Sequence, residues 1–153
     1  MPVIEVQGDL TESDCHVIAH GCNCFNTMGS GIARAIREKF PQAFTVDQAT
    51  KRGDRSKLGN MTWIYHQEKN KFVLNLYTQY EFGTHQRQLD YEALFLCLDR
   101  LKNFVQDLDD ATATTNKVGL PRIGCGLAGG DWDAVKAIIN YIFPDKDIYV
   151  YYL

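Results

Sequence analysis

The chain has 153 residues, of which 45% are hydrophobic, 12% aromatic and 23% charged, with a formal net charge of -3. That is the size of one ordinary globular domain, able to bury roughly 70% of its unfolded surface, and its acidic balance excludes a polybasic nucleic-acid binder. No apolar run approaches the ~18 residues that span a bilayer, so the sequence is read as a single domain, 1–153, with no membrane partner.

The opening Met1-Pro2-Val3-Ile4-Glu5-Val6 enters a strand pattern at once and lacks the charged and apolar regions of an export signal. Five cysteines without such a signal read as a reduced, cytoplasmic thiol set rather than a disulfide framework. Short apolar or β-branched runs predict strands from Val3 to Val6, His16 to His20, Met61 to His66, Phe72 to Tyr77, Val118 to Leu120 and Ile148 to Tyr152. Between them, Ile32, Ala33, Ile36 and Phe40 recur at helical spacing, and Leu94, Cys97, Leu98, Leu101, Phe104, Val105 and Leu108 form the clearest helical stripe. The polar stretch from Asp107 to Asn116 reads as a surface loop. A last helix is expected from Asp131 to Phe143, stopping before Pro144. The two strands joined by Gln67-Glu68-Lys69-Asn70-Lys71 read as a hairpin. Strands alternating with helices predict an α/β fold, a mixed sheet covered on both faces.

Two glycine-rich turns run from a strand into a helix: Gly21-Cys22-Asn23-Cys24-Phe25-Asn26-Thr27-Met28-Gly29-Ser30-Gly31-Ile32-Ala33, and Leu120-Pro121-Arg122-Ile123-Gly124-Cys125-Gly126-Leu127-Ala128-Gly129-Gly130-Asp131-Trp132. One such turn is equally well a tight turn or an anion cradle, in which backbone N–H groups meet an anion at the positive end of a helix. Two of them, both at carboxyl ends of strands, favour the cradle, because open α/β sheets bind ligands at that rim. The second contains G-x-G-x-x-G through Gly124, Gly126 and Gly129. A dinucleotide fold needs a further strand ending in an acid about 20 residues on; here Asp145 and Asp147 precede the one remaining strand, so an oxidoreductase is disfavoured. Neither turn contains G-K-[ST], which excludes a P-loop hydrolase.

Taken in order and spacing, Gly8-Asp9-Leu10, Ala19-His20-Gly21-Cys22-Asn23-Cys24, Met28-Gly29-Ser30-Gly31-Ile32-Ala33, Leu120-Pro121-Arg122-Ile123-Gly124-Cys125-Gly126-Leu127 and the terminal Ile148-Tyr149-Val150-Tyr151-Tyr152-Leu153 resemble the macrodomain family of ADP-ribose-binding modules. The resemblance covers essentially the whole chain and is greatest to the branch of ADP-ribose 1''-phosphate phosphatases and ADP-ribosyl-glutamate hydrolases. It implies a three-layer α/β/α fold and a monomer that takes ADP-ribose or a derivative, with ADP-ribosylated protein or nucleic acid as further partners and no cofactor. By the same resemblance, Asp9 accepts from the adenine amino group beside the Leu10 N–H, and Asn23 holds the distal ribose. Ser30, Gly31 and Ile32 serve one face of the diphosphate; Ile123, Gly124, Cys125, Gly126, Leu127 and Ala128 line the other, while Tyr151 and Leu153 pack near adenine.

The glutamate-hydrolase group carries a nucleophilic lysine after the Phe72-to-Tyr77 strand and an acid after Gly-x-Gly-Leu. Here those stretches read Tyr77-Thr78-Gln79-Tyr80-Glu81 and Ala128, so a lysyl intermediate is disfavoured and the phosphatase reading, or a reader with weak turnover, gains. Candidates for work at the distal ribose are Asn23, His20 and Asp131, with His85 beside them. His20 reads equally as a core histidine, and Asp131, which could orient a water, reads more readily as a helix N-cap. Cys22, Cys24 and Cys125 do not match zinc spacing, and no metal is expected. The basic stretch from Arg34 to Lys57 is either a solvated helical face or an attractor of an anionic ligand or nucleic acid.

Overall fold

The computed structural model describes residues 3–83, 86–126 and 128–153. Six strands form one sheet: β1 (Val3–Gln7), β2 (Val17–Cys22), β3 (Met61–His66), β4 (Lys71–Tyr77), β5 (Val118–Pro121) and β6 (Ile148–Tyr152), in the order β1-β6-β5-β2-β4-β3. Neighbours are parallel except β3, which pairs antiparallel with β4 from Met61 opposite Leu76 to His66 opposite Lys71, the expected hairpin. The helices are α1 (Gly31–Lys39), α2 (Pro41–Gln48), α3 (Tyr91–Thr112) and α4 (Trp132–Ile142). None of them, among the described residues, is long and apolar enough to cross a membrane.

The two-residue period of the strands sorts side chains between two helical layers. Val17 and Ala19 of β2 and Leu74 and Leu76 of β4 pack with Leu94, Leu98 and Leu101 of α3 and Val135 and Ile139 of α4. Ile18 and Val73 point the other way and pack with Ile36, Phe40 and Ala43 of the α1–α2 layer. The result is the expected α/β/α sandwich around a mixed sheet. Central strands covered on both faces explain why β2 and β4 read as nearly unbroken apolar runs.

Three local expectations change. The stretch expected as a loop from Asp107 is helical to Thr112, its last turn held by Thr112 Oγ1 donating to Leu108 O at 2.8 Å and Gln106 Nε2 to Asp110 Oδ1 at 3.1 Å. A helix that the sequence reading did not include, α2, starts at Pro41, where a missing N–H is harmless. β2 begins one residue later and ends two residues later than expected. By contrast, α4 has Asp131 as N-cap and Phe143 as C-cap, as the acidic start and Pro144 indicate.

From β2 the chain crosses through α1 and α2 towards the β4–β3 side, whereas from β5 it crosses through α4 to β6 on the other side. Connections that diverge this way open a crevice between the carboxyl ends of β2 and β5.

Candidate functional site

That crevice is a cleft of about 700 Å³. Both glycine turns lie on this rim. The first lines it with Gly21, Asn23, Thr27 and the run from Gly29 to Ala33; the second with Pro121 to Gly126 and Ala128. Gln79, Phe82 and Gly83 from the segment after β4, and Tyr151 and Tyr152 of β6, close its ends.

Two of these glycines have no structural reason to be glycine. Among the described residues, a Cβ placed on Gly29 or Gly126 would meet nothing within 4 Å beyond its chain neighbours, and neither glycine has a left-handed φ. What their missing side chains leave is open space in the cleft, where backbone can approach a ligand. Gly124 differs: its φ is +72°, and a Cβ there would lie 2.6 Å from Leu89 Cδ1. Its role is to build the turn.

The first turn delivers the N-terminus of α1 to the cleft. Ser30 is the N-cap residue, yet its side chain makes no capping hydrogen bond, and the first turn of α1 has no acidic residue. The positive end of this helix is therefore uncompensated and faces the cleft, a ready anion site. Asn23 is 9% exposed, and its amide is committed to the turn: Nδ2 donates to Thr27 Oγ1 at 2.7 Å and Oδ1 accepts from Phe25 N–H at 2.8 Å. Beneath it, the buried Lys57 Nζ donates to Cys24 O at 3.0 Å, Asn26 Oδ1 at 2.6 Å and Lys51 O at 3.1 Å, fixing the outer half of the turn.

In the second turn, Cys125 N–H is turned inward to Arg122 O at 3.1 Å and Gly130 N–H to Gly124 O at 2.6 Å. Burial pushes the Cys125 thiol up to about 11, so at neutral pH it is a thiol, not a nucleophilic thiolate. Arg122 is pinned by Glu5, with its Nη2 2.9 Å from Oε1, and its guanidinium carbon lies 4.5 Å from the Tyr152 ring centre.

Among the other residues expected at the site, Ile123 and Tyr151 line the cleft. Leu10 is buried in the α1–α2 layer. Asp9 is exposed just beyond the cleft end, next to Gly8, where a Cβ would touch the Tyr151 ring at 3.7 Å. Its Oδ1 accepts from Thr11 N–H and hydroxyl at 2.9 and 2.7 Å, bonds that hold its carboxyl below the ordinary range. Leu153 is fully exposed and outside the cleft lining. Leu127 and His85 lie outside the described residues. Asp131 is an exposed N-cap accepting from Asp133 N–H at 3.0 Å, and its own N–H donates to Tyr91 Oη; the structure does not bring it to the cleft.

His20 is not brought to the cleft either. It is fully buried under α2, with Nε2 2.7 Å from Asn75 Oδ1, while Asn75 Nδ2 donates to Ala43 O at 2.9 Å. Burial lowers its pKa from 6.5 to about 4, with the Asn75 bond opposing. The folded state thus binds the proton less well than the unfolded chain, so stability is full above pH 6.5 and falls with pH through that window. Thermal melts between pH 7 and 4 are expected to lose about 3 kcal/mol from this residue, and His20→Gln should flatten that slope. An unchanged slope in the variant would refute the assignment.

Sequence reasoning missed Thr27, Gln79, Phe82, Arg122 and Tyr152 as cleft residues. Thr27 and Arg122 lie within the two glycine turns and Tyr152 neighbours Tyr151 at a strand end, whereas Gln79 and Phe82 carried no signal. Among the described lining residues there is no carboxylate and no histidine. Backbone donors, the α1 N-terminus and one pinned guanidinium suit an elongated anion, and they favour attack by a positioned water over a side-chain nucleophile. No group of three or more His, Cys, Asp or Glu among the described residues could hold a metal ion.

The Macro domain family model matches residues 19–139. An uncharacterised 17.5 kDa protein of Enterobacteria phage T4, from the tk-vs intergenic region, is 34% identical over 92% of this chain and 89% of its own length. A DNA ADP-ribosyl glycohydrolase of Mycobacterium tuberculosis is 27% identical over 94% of this chain, which spans only 40% of that enzyme. An ADP-ribose 1''-phosphate phosphatase of Scheffersomyces stipitis is 24% identical over 95% of this chain and 97% of its own. In three dimensions, the macrodomain of Mycobacterium tuberculosis DarG superposes with a TM-score of 0.78 at 22% identity, over 97% of this chain and 96% of that one.

Proposed function

The chain belongs to the macrodomain family, and from that premise we propose that its cleft binds ADP-ribose and hydrolyses the bond at C1'', with ADP-ribose 1''-phosphate as the small-molecule substrate. The observation that carries this reading is the pair of glycines, Gly29 and Gly126, one in each turn, that line the cleft without a packing or backbone reason to be glycine. A diphosphate seated between them lies against the N-terminus of α1. The adenosine end runs towards Tyr151, Tyr152 and Asp9, whose Oδ2 is not used by Thr11 and is available to the adenine amino group. The distal ribose then lies towards Asn23, Gln79 and Phe82. Water forms a bond to C1'' as the C1''–oxygen bond breaks, and the departing phosphate accepts the water's proton. Binding energy from adenosine and diphosphate, remote from the reaction, orients C1''. The phosphatase relative and the absence of a lysine after β4 both favour phosphate over a glutamyl ester as leaving group.

Calorimetry with ADP-ribose, AMP and GDP-ribose, and phosphate release from ADP-ribose 1''-phosphate, test this reading. Asp9→Ala is expected to weaken ADP-ribose by about 1–3 kcal/mol and to remove the preference over GDP-ribose. Asn23→Ala, which frees the turn from Thr27 and Phe25, should lower turnover more than affinity. Tight ADP-ribose binding with no phosphate release would leave a reader of ADP-ribose rather than an enzyme.

A further inference from the structure

Strand order sets the order of subsites along the cleft. The rim runs from the carboxyl ends of β1 and β6, past β5, to those of β2 and β4. On the reading given above, adenine lies towards Tyr151, Tyr152 and Asp9, and the diphosphate lies between Gly29 and Gly126. The adenosine ribose then falls between them, at the end of β5. Arg122 stands there, one residue beyond Pro121, which pairs with Tyr151 of β6. It lines the cleft, and its side chain is 41% exposed.

The guanidinium is held in place by three neighbours. Nη2 donates to Glu5 Oε1 of β1 at 2.9 Å, and the guanidinium carbon lies 4.5 Å from the Tyr152 ring centre and 5.6 Å from that of Trp132. Glu5 Oε2 is at the same time 3.5 Å from Lys136 Nζ of α4. One carboxylate thus serves two cations, and the group of three keeps a positive charge. Asp131, the carboxylate that follows the second turn, is engaged as the cap of α4. Among the described residues no second hydrogen bond uses the guanidinium, so its remaining N–H donors are unspent. An exposed ion pair adds little to stability, and the fold alone gives little reason to pin an arginine at the cleft wall.

We propose that Arg122, seconded by Lys136, forms a subsite for a phosphomonoester on the adenosine ribose, so that the cleft prefers ADP-ribose phosphorylated on that ribose to ADP-ribose itself. The inference rests on the reading of the cleft as an ADP-ribose site. It adds a second anion to that ligand, separate from the diphosphate and from the group at C1''. A planar fork fixed by stacking and by one carboxylate, with donors to spare, matches phosphate oxygens in geometry and charge; a ribose hydroxyl would need only a neutral partner. Phosphate on the 2' oxygen belongs to ligands derived from 2'-phosphorylated nicotinamide dinucleotides, and phosphate on the 3' oxygen to 3'-phosphorylated adenosine diphosphates. Cleavage of the bond between ribose and nicotinamide in the first class is the kind of reaction that supplies a 2'-phosphorylated ADP-ribose.

Calorimetry on the full chain tests this with ADP-ribose against ADP-ribose 2'-phosphate, and with AMP against adenosine 2',5'-bisphosphate and adenosine 3',5'-bisphosphate. The extra phosphate is expected to tighten binding roughly tenfold or more, and the two bisphosphates report which ribose oxygen faces Arg122. In Arg122→Gln the ratio between phosphorylated and plain ligand should fall to about one, whatever change ADP-ribose itself shows. Lys136→Gln should lower the ratio by a smaller factor, and Arg122→Lys, which keeps the charge without the fork, should fall between. Lys102→Gln on the exposed face of α3 should leave the ratio unchanged. Because the ratio compares two ligands on one protein, a partly unfolded variant does not alter it. Equal affinity within every pair in the wild type, a preference that survives in Arg122→Gln, or an equal loss in Lys102→Gln would each overturn the inference with the cleft reading intact. A wild type that binds neither ADP-ribose nor its 2'-phosphate would overturn the cleft reading itself.

Discussion

Gly126→Val is expected to weaken ADP-ribose binding by roughly a hundredfold or more, about 2.7 kcal/mol, with the melting temperature close to that of the wild type. The reasoning is steric and one-sided. Among the described residues a Cβ at this position meets no heavy atom inside 4 Å beyond its chain neighbours, and the backbone is not in the left-handed region, so folding has little to oppose. The new side chain projects into the cleft instead, where a diphosphate needs the backbone within hydrogen-bonding distance. Gly124→Val is the informative contrast. Its φ of +72° and the Leu89 methyl groups at 2.6 and 2.7 Å make that substitution a folding defect. Calorimetry paired with thermal melts separates the two, and Gly126→Val binding ADP-ribose with wild-type affinity would refute the diphosphate placement.

Lys57→Met is expected to destabilise the fold by about 3 kcal/mol, a fall of roughly 10 °C in melting temperature for a chain of this size. The ammonium is 8% exposed and satisfies three oxygens, those of Cys24, Asn26 and Lys51. It also lies 5.2 Å from the centre of the Tyr77 ring, whose hydroxyl donates to the buried Asp47 carboxylate at 2.7 Å. Burial raises the Asp47 pKa, and removing the nearby cation raises it further, so the folded variant binds that proton more tightly than the unfolded chain and its stability deficit should shrink as the pH falls. Because Lys57 supports both the first glycine turn and the 51–55 segment, ADP-ribose affinity should fall as well. Denaturant melts at pH 7 and pH 5 measure both effects, and a change below about 1 kcal/mol would show that water replaces the ammonium.

Much of this architecture was legible in the residues, and the exceptions have physical causes. The alternation Val17, Ile18, Ala19, His20 places two helical layers because each face of β2 must be covered. Asp131 and Pro144 bracket α4 because a cap and a blocked N–H act locally. The end of α3 was illegible because its last residues are polar and mostly exposed, a composition that helix and loop share. α2 escaped the reading because its eight residues are few and carry no regular apolar stripe. At the site, the glycine turns announced themselves, whereas Lys57 did not: within a run of lysines and arginines, a buried ammonium and a solvated one have the same letter. His20 and Asp131 were legible as residues near the turns but not as to which way they point, since that depends on packing against α2 and on the cap geometry.

The position of β6 sets an order of events in synthesis. This strand, the last in the sequence, inserts between β1, the first, and β5, with Val3 opposite Ile148 on one side and Val118 opposite Ile148 on the other. A nascent chain emerging from the ribosome can pair β2 with β4 and form the hairpin, but β1 waits for a partner more than a hundred residues away. Such distant pairing slows folding. Tyr151 and Tyr152 reach the cleft only with that strand, so the wall at its adenosine end is completed at the final docking step, and ligand can stabilise only chains that have passed it.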